Sequence, residues 1–323
     1  MIQIKSTKLR KLDDLCEEHF QKLEPYITSN IASLKKRQID FITTNLKQIL
    51  TCKPKDLYGI NKRYIRYCTE KSGKYPLLKK NVGKGLSKVF NYKWFTATNA
   101  VHYCGYDLAK KLNFKTCPYC NRNYTVTVAE GKDRIVRPDF DHFYPKGQYP
   151  LLALSFYNLI PSCLICNRTI KNQAKIVHGK FIHPYEEGFG TALKINFFPK
   201  DADSALGLKD NYTVIKLLNI LGPVKAQKCS NSFELFKLKE IYEESHNGEI
   251  ADIIKKHYIT NGKYLEILHK AFPKLGSIEE LYNIAFGNYL HDDNLEKRPL
   301  SKMTRDIVEQ LVFNYPVLNS LVI

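Results

Sequence analysis

The sequence predicts an α+β fold: mainly helical N- and C-terminal regions around a small cysteine-bearing core. Three observations predict it. Apolar residues recur at three-to-four spacing over residues 8–50 and again from about residue 231. Residues 117–172 instead carry short alternating stretches broken by turns. Two Cys-x-x-C pairs, Cys117/Cys120 and Cys163/Cys166, bracket that middle segment. The chain has 323 residues, 44% of them hydrophobic, enough for two or three domains with their own cores. The expected boundaries are a basic helical region over 1–110, a core over 111–190 and a mainly helical region over 191–323.

Taken in order, Leu12, Leu15, Phe20, Leu23 and Ile27 mark a first helix. Ile42, Leu46 and Leu50 mark a second. Residues 51–95 are rich in Lys, Gly and Tyr and read as a basic loop region with short helices. Within it, NVGKGLS at 81–87 resembles a phosphate loop, but Gly85 follows Lys84, so the spacing fails and an intrinsic ATPase is excluded. A helical pattern returns before Asn113. NYTVTV alternates like a strand, AEGKD reads as a turn, and RIVRPDF reads as the returning strand. NLIPSCLICNRTIKN reads as a loop opening a short helix, and KIVHGKFIHP and ALKINFFP read as further strands. Helices are then expected in SFELFKLKEIYEESHNGEIADIIKKHYI, SIEELYNIAFGNYL and SKMTRDIVEQLVFN.

Net charge is +18, and its distribution is uneven. Residues 51–200 hold 26 Lys and Arg against 9 Asp and Glu, a net +17, whereas residues 201–323 are at −2. A polyanionic partner such as a phosphate backbone fits this concentration of charge. Lys62, Arg63 and Arg66 are candidate contacts within it. Tyr58, Tyr64, Tyr67, Tyr75, Tyr92 and Trp94 interleave with the cations and suit stacking on bases, although at least half of such aromatics usually belong to a core. No apolar run approaches the roughly 18 residues of a membrane span, and no apolar segment follows the first charges as in a signal peptide. The expectation is a cytoplasmic protein in a reducing compartment, where nine cysteines read as ligands or lone thiols.

Each Cys-x-x-C lets two thiolates grip one tetrahedral ion, and two such knuckles complete a closed structural zinc site. The 42 residues between the pairs exceed a usual zinc-ribbon loop, so something is inserted there. That insert carries DFDHFYPK at 139–146. Adjacent residues on an extended strand point to opposite faces. Asp141 and His142 can therefore serve different partners, one an ion and the other a water. A neutral imidazole suits a general base, and carboxylate and amide oxygens suit a hard Mg²⁺-type ion.

CPYC, DFDHFYPK, NLIPSC and CNRTIK, in this order over about 60 residues, resemble the HNH endonucleases, whose active site is the ββα-metal (His-Me) finger. The resemblance implies a zinc-stabilised ββα-metal core that hydrolyses phosphodiester bonds with Mg²⁺ or Mn²⁺. It implies Asp141 as a ligand of the catalytic ion and His142 as the general base. Asn158 would hold the loop and orient the histidine, and Asn167 would be the second ligand. Lys171 matches a position that commonly faces phosphate, with Lys146 and Arg168 beside it. The last family position is often His and is Asn here, which keeps an oxygen donor suited to Mg²⁺. The longer stretch through HPYEE is similar to HNH subunits of Septu-type and retron-linked bacterial defence systems, which implies a separate ATPase as partner. His183 is read as structural rather than catalytic, and Asp139 as supporting rather than ligating. Two other functions compete: a zinc-stabilised nucleic-acid-binding module without chemistry, and a toxin-like ribonuclease. DNA is placed ahead of RNA, although phosphate contacts themselves carry no sequence information.

Overall fold

The computed structural model describes residues 1–70, 77–130, 133–172, 174, 176–219, 221–274 and 277–314. The chain forms two compact units, neither contiguous in sequence. One comprises Ile4–Phe114 and Thr125–Glu187; the other comprises Met1–Gln3, Lys115–Tyr124 and Gly188–Ile323.

The first unit opens with α1 (Leu12–Asn30), which buries Leu12, Cys16, His19, Leu23 and Ile27 along one stripe. Next comes α2 (Lys36–Thr51), which buries Phe41, Ile42, Leu46, Ile49 and Leu50. The Gln38 side chain caps its start by accepting the Lys35 N–H at 3.0 Å. The next segment, expected as a basic loop region with short helices, opens on a longer helix. It is a 16-residue helix, α3 (Pro54–Thr69), with Pro54 in its first turn and Leu57, Ile60, Tyr64 and Cys68 buried. That apolar stripe is narrow, and the Lys and Arg residues on the opposite face hid it. Short helices α4 (Leu86–Val89), α5 (Tyr92–Phe95) and α6 (Gly105–Leu112) follow. Gly85 sits before α4 at φ 85°, where a Cβ would meet the Leu34 side chain at 2.8 Å. The glycine of the rejected phosphate loop thus has a packing role.

Two separate antiparallel ribbons come next. In the first, β1 (Val128–Glu130) pairs with β2 (Asp133–Val136), and both are largely exposed. In the second, β3 (Asp139–His142) pairs with β4 (Leu159–Ser162), with Asp141 opposite Ile160 and His142 opposite Leu159. RIVRPDF is therefore not one strand. Pro138 has no N–H to give a ladder, and the chain changes ribbon there. The strand β4 was missed because Pro161 lies in its middle. A π-helix, Ile165–Lys171, follows β4. The order is strand, loop, strand, helix. Among the described residues of KIVHGKFIHP there is a single bridge, His178 to Phe181, rather than a strand pair.

The second unit is built on β5 (Leu193–Pro199) paired antiparallel with β6 (Tyr212–Leu218), with the short α7 (Ala202–Ala205) between them. Helices α8 (Pro223–Leu235), α9 (Leu238–Ile259), α10 (Tyr264–Ala271), α11 (Ile278–Phe286) and α12 (Ser301–Asn314) complete it. The long helix expected from residue 231 breaks at Lys237, which is left-handed at φ 50°, and kinks at His246. From α12, fully buried Lys302 and Asp306 pair with each other, and Asp306 accepts the Ile195 N–H of β5 at 2.8 Å. No helix among the described residues is long and apolar enough to cross a membrane.

Candidate metal centre and catalytic cleft

The four cysteines of the two pairs are all buried, and their sulfur atoms lie within 4.8 Å of one another. The turns that present them are shaped for this. Asn121, left-handed at φ 51°, closes the first knuckle, and its N–H reaches the Cys117 carbonyl at 2.8 Å. The Arg122 N–H points at Cys120 Sγ (3.4 Å), and the Cys166 N–H points at Cys163 Sγ (3.4 Å). Such donors stabilise thiolate rather than thiol. Four buried sulfurs at this spacing form a set that can hold one metal ion, and soft donors in that number suit zinc.

His142 ends β3 and is 5% exposed. Its Nε2 lies 2.9 Å from the Ala153 carbonyl oxygen. A carbonyl only accepts, so Nε2 carries the proton and Nδ1 is the lone-pair nitrogen. Burial, with Lys146 and Lys171 nearby, pushes the imidazole pKa down to about 3, so the ring is neutral at physiological pH. The Tyr92 ring stands edge-on to it, with centroids 4.5 Å apart, and the Tyr92 hydroxyl donates to the Phe140 carbonyl.

Asn158 is completely buried in the β3–β4 connection. Its Oδ1 accepts the Tyr144 N–H (2.7 Å), and its Nδ2 donates to the carbonyls of Tyr144 (3.1 Å) and Leu152 (2.9 Å). One side chain thus ties both ends of the connecting loop.

The acids differ in their partners. Asp141 Oδ1 accepts from Lys171 Nζ at 2.8 Å, and the same ammonium donates to the His142 carbonyl at 2.6 Å. Lys171 was expected to face phosphate. Instead it is 1% exposed, because the π-helix turns it inward under β3 as the counter-ion of Asp141. Asp139 takes Arg168 through both oxygens (2.7 and 3.0 Å) and accepts Asn167 Nδ2 at 3.1 Å. With Nδ2 engaged, the other polar side-chain atom of Asn167 is Oδ1.

Asp139, Asp141, His142, Lys146, Asn167 and Arg168 line one open cleft of about 390 Å³, closed on other sides by Tyr92, Thr96 and Arg137. The structure therefore brings together Asp141, His142, Asn167, Lys146 and Arg168. It keeps Asn158 behind the cleft and Lys171 beneath it. Lys62, Arg63 and Arg66 all sit exposed on α3, where Arg63 reaches Asn45 and Gln48 of α2 and Arg66 pairs with Glu70.

The aromatics divide. Tyr64 is core and Tyr92 is cleft wall. Trp94 is stacked on both faces, by Tyr26 and His102. Tyr58 is half exposed, Tyr67 lies under the Arg37 guanidinium, and Tyr75 lies outside the described residues. His183 is wholly buried against Phe143. Sequence reasoning missed Arg137 and the bidentate Asp139–Arg168 pair. Two acids spaced two apart before a histidine signalled only that one of them needed a partner. No family model matches this chain, and no curated protein or solved structure matches it.

Proposed function

We propose that this chain is a metal-dependent HNH endonuclease that hydrolyses phosphodiester bonds in nucleic acid, DNA ahead of RNA. We propose further that it is the effector of a bacterial defence system acting with a separate ATPase. The observation that carries the first reading is His142: a buried, neutral imidazole at a cleft wall, with its tautomer set by a main-chain carbonyl. The defence role rests on the resemblance of the HNH stretch alone.

The donor sets fit the two metals the reading requires. Four buried cysteines suit one structural zinc. Asp141 and Asn167 offer a carboxylate and an amide oxygen, hard donors suited to Mg²⁺ or Mn²⁺. A carboxylate has about four acceptor sites, so Lys171 does not exhaust Asp141. When bound, a divalent ion supplies positive charge to the scissile phosphate and the leaving oxygen. The rest is done by the chain. Nδ1 of His142 takes the proton of the attacking water. Lys146 and Arg168 hold phosphate oxygens at the rim, and α3 extends the cationic surface. Asn158 keeps the loop behind the base in one conformation, and Lys171 fixes Asp141.

A second reading, a nucleic-acid-binding module without catalysis, draws on one observation: Asp139 and Asp141 are already engaged by Arg168 and Lys171. The deciding experiment incubates purified protein and Mg²⁺ or Mn²⁺ with plasmid, single-stranded DNA and tRNA, with and without the ATPase. Cleavage by the wild type and not by His142→Ala supports the endonuclease. Tight binding without cleavage under every condition favours the module. Cleavage of tRNA alone favours a toxin-like ribonuclease.

A further inference from the structure

Three successive carbonyls in the loop between β3 and β4 are each taken by a different side chain. Leu152 O accepts from Asn158 Nδ2 at 2.9 Å, Ala153 O pairs with His142 Nε2 at 2.9 Å, and Leu154 O pairs with His19 Nε2 at 2.8 Å. His19 belongs to α1, 135 residues from Leu154 along the chain. It is 0% exposed, and the rings of Phe95, Tyr103 and Phe156 stand 5.6 to 5.7 Å from its own.

We propose that His19 is a positioning residue for the general base, and that it fixes the orientation of His142 through the Leu154 and Ala153 carbonyls. This rests on the endonuclease reading.

The protonation pattern follows from acceptor chemistry. Leu154 O can only accept, so His19 Nε2 carries a hydrogen and Nδ1 is an acceptor. Tyr103 Oη lies 3.0 Å from that Nδ1 and donates to it. Tyr103, His19 and Leu154 O thus form one directed chain, and burial keeps it in one state by holding the His19 pKa near 4. Peptide units are planar, so the loop carbonyls turn only through φ and ψ. With Leu152 O held on one side and Leu154 O on the other, Ala153 O has little room to swing away from His142. The adjacent Ser155 hydroxyl donates to Ile49 O of α2 at 2.6 Å, a further tether beside the clamp. A purely structural histidine would satisfy its own two nitrogens and leave the base indifferent to its loss.

The test compares His19→Ala, His19→Gln and Tyr103→Phe in the full chain, with two readouts. One is single-turnover cleavage, resolved into rate and substrate affinity. The other is the ¹⁵N spectrum of the His142 ring without substrate, which needs no activity. His19→Ala should lower the rate roughly 10- to 100-fold, the scale of a small misplacement of a reacting group, with affinity unchanged. Its His142 spectrum should move from the Nε2–H form to a tautomer mixture. His19→Gln, which keeps a donor for Leu154 O, should recover most of the rate and the wild-type spectrum. Tyr103→Phe removes only the outer donor and should shift the spectrum part of the way. A folded His19→Ala with an unchanged His142 spectrum overturns the proposal. If His19→Ala does not fold, an unchanged spectrum in Tyr103→Phe overturns it instead. A wild type that never cleaves overturns the endonuclease reading, while the spectra still decide whether His19 orients His142.

Discussion

Asp141 and Lys171 form an ion pair with side chains 3% and 1% exposed, and this governs what their loss would do. Removing one partner of a buried pair leaves a charge without compensation, at about 3–5 kcal/mol. Asp141→Ala should therefore destabilise the protein on that scale in urea unfolding and also abolish cleavage. Asp141→Ala combined with Lys171→Met should regain most of the stability and none of the activity. His142→Ala should behave differently: cleavage falls by roughly two to four orders of magnitude, the usual worth of a positioned base, and nucleic-acid binding stays near wild type. A His142→Ala enzyme cutting at the wild-type rate would sink the assignment. The pH dependence follows from the depressed pKa values. His142 (about 3) and His19 (about 4) are neutral when folded but titrate near 6.5 when unfolded. Between those values the unfolded chain binds more protons, so stability falls as pH drops below about 6.5. Each histidine contributes a slope of roughly 1.4 kcal/mol per pH unit near pH 5. Acid titration of the unfolding free energy between pH 7 and 5 checks the sign. The cleavage rate should show no break at pH 6.5 from the base.

At the scale of elements, the β3–loop–β4–helix segment places the cleft residues, and Asn158 is its fastener. Asn158→Ala removes the side-chain partner of the Tyr144 amide and of the Tyr144 carbonyl, at about 1–3 kcal/mol for each unmet group, while the Leu152 carbonyl keeps the Ser155 N–H. Its thermal midpoint and its cleavage rate should fall together. Asn158→Asp keeps the acceptor but turns an oxygen towards the Tyr144 and Leu152 carbonyls at a buried site, so it should fall at least as far. The helix α3 is the cationic element. Reversing Lys62, Arg63 and Arg66 together should weaken nucleic-acid binding and flatten its dependence on salt, because fewer counterions are released. Far-ultraviolet circular dichroism should stay unchanged, since all three side chains are exposed. A salt dependence identical to wild type would point to another face. The two elements also differ in how legible they were. DFDH was readable because its residue types are chemically unusual side by side. The helix α3 was misread because its apolar stripe is one residue wide and its visible composition is that of a loop.

For the molecule as a whole, the cysteine cluster is the testable centre. Cys117→Ser or Cys166→Ser should lower solubility and melting temperature together, because thiolate–zinc binding is coupled to folding by roughly 10 kcal/mol or more in small zinc modules. Elemental analysis should return one zinc per chain. Well-folded, active protein without zinc would refute the site. The helices α1 and α2 were legible from periodicity, and the four cysteines from spacing. Long-range partnership was not legible. That Lys171 turns inward to Asp141, that Asp139 holds Arg168, and that His19 meets Leu154 O all depend on contacts between residues 29 to 135 positions apart. No local pattern encodes such pairings. Break points such as Lys237 were hidden for the opposite reason: a single left-handed residue leaves the surrounding periodicity intact.

The partner that orients His142 is the carbonyl of Ala153, an atom every residue possesses. No codon at position 153 can delete it. A library replacing each loop residue in turn would find 153 tolerant of Gly and, where the buried space allows, of Ser, and would score the position as silent. The same library would score Asn158 and His19 as sensitive, although neither touches a reacting atom. Drift in this loop should therefore be free in side chain and tightly limited in length: one inserted or deleted residue would move a different carbonyl opposite the imidazole.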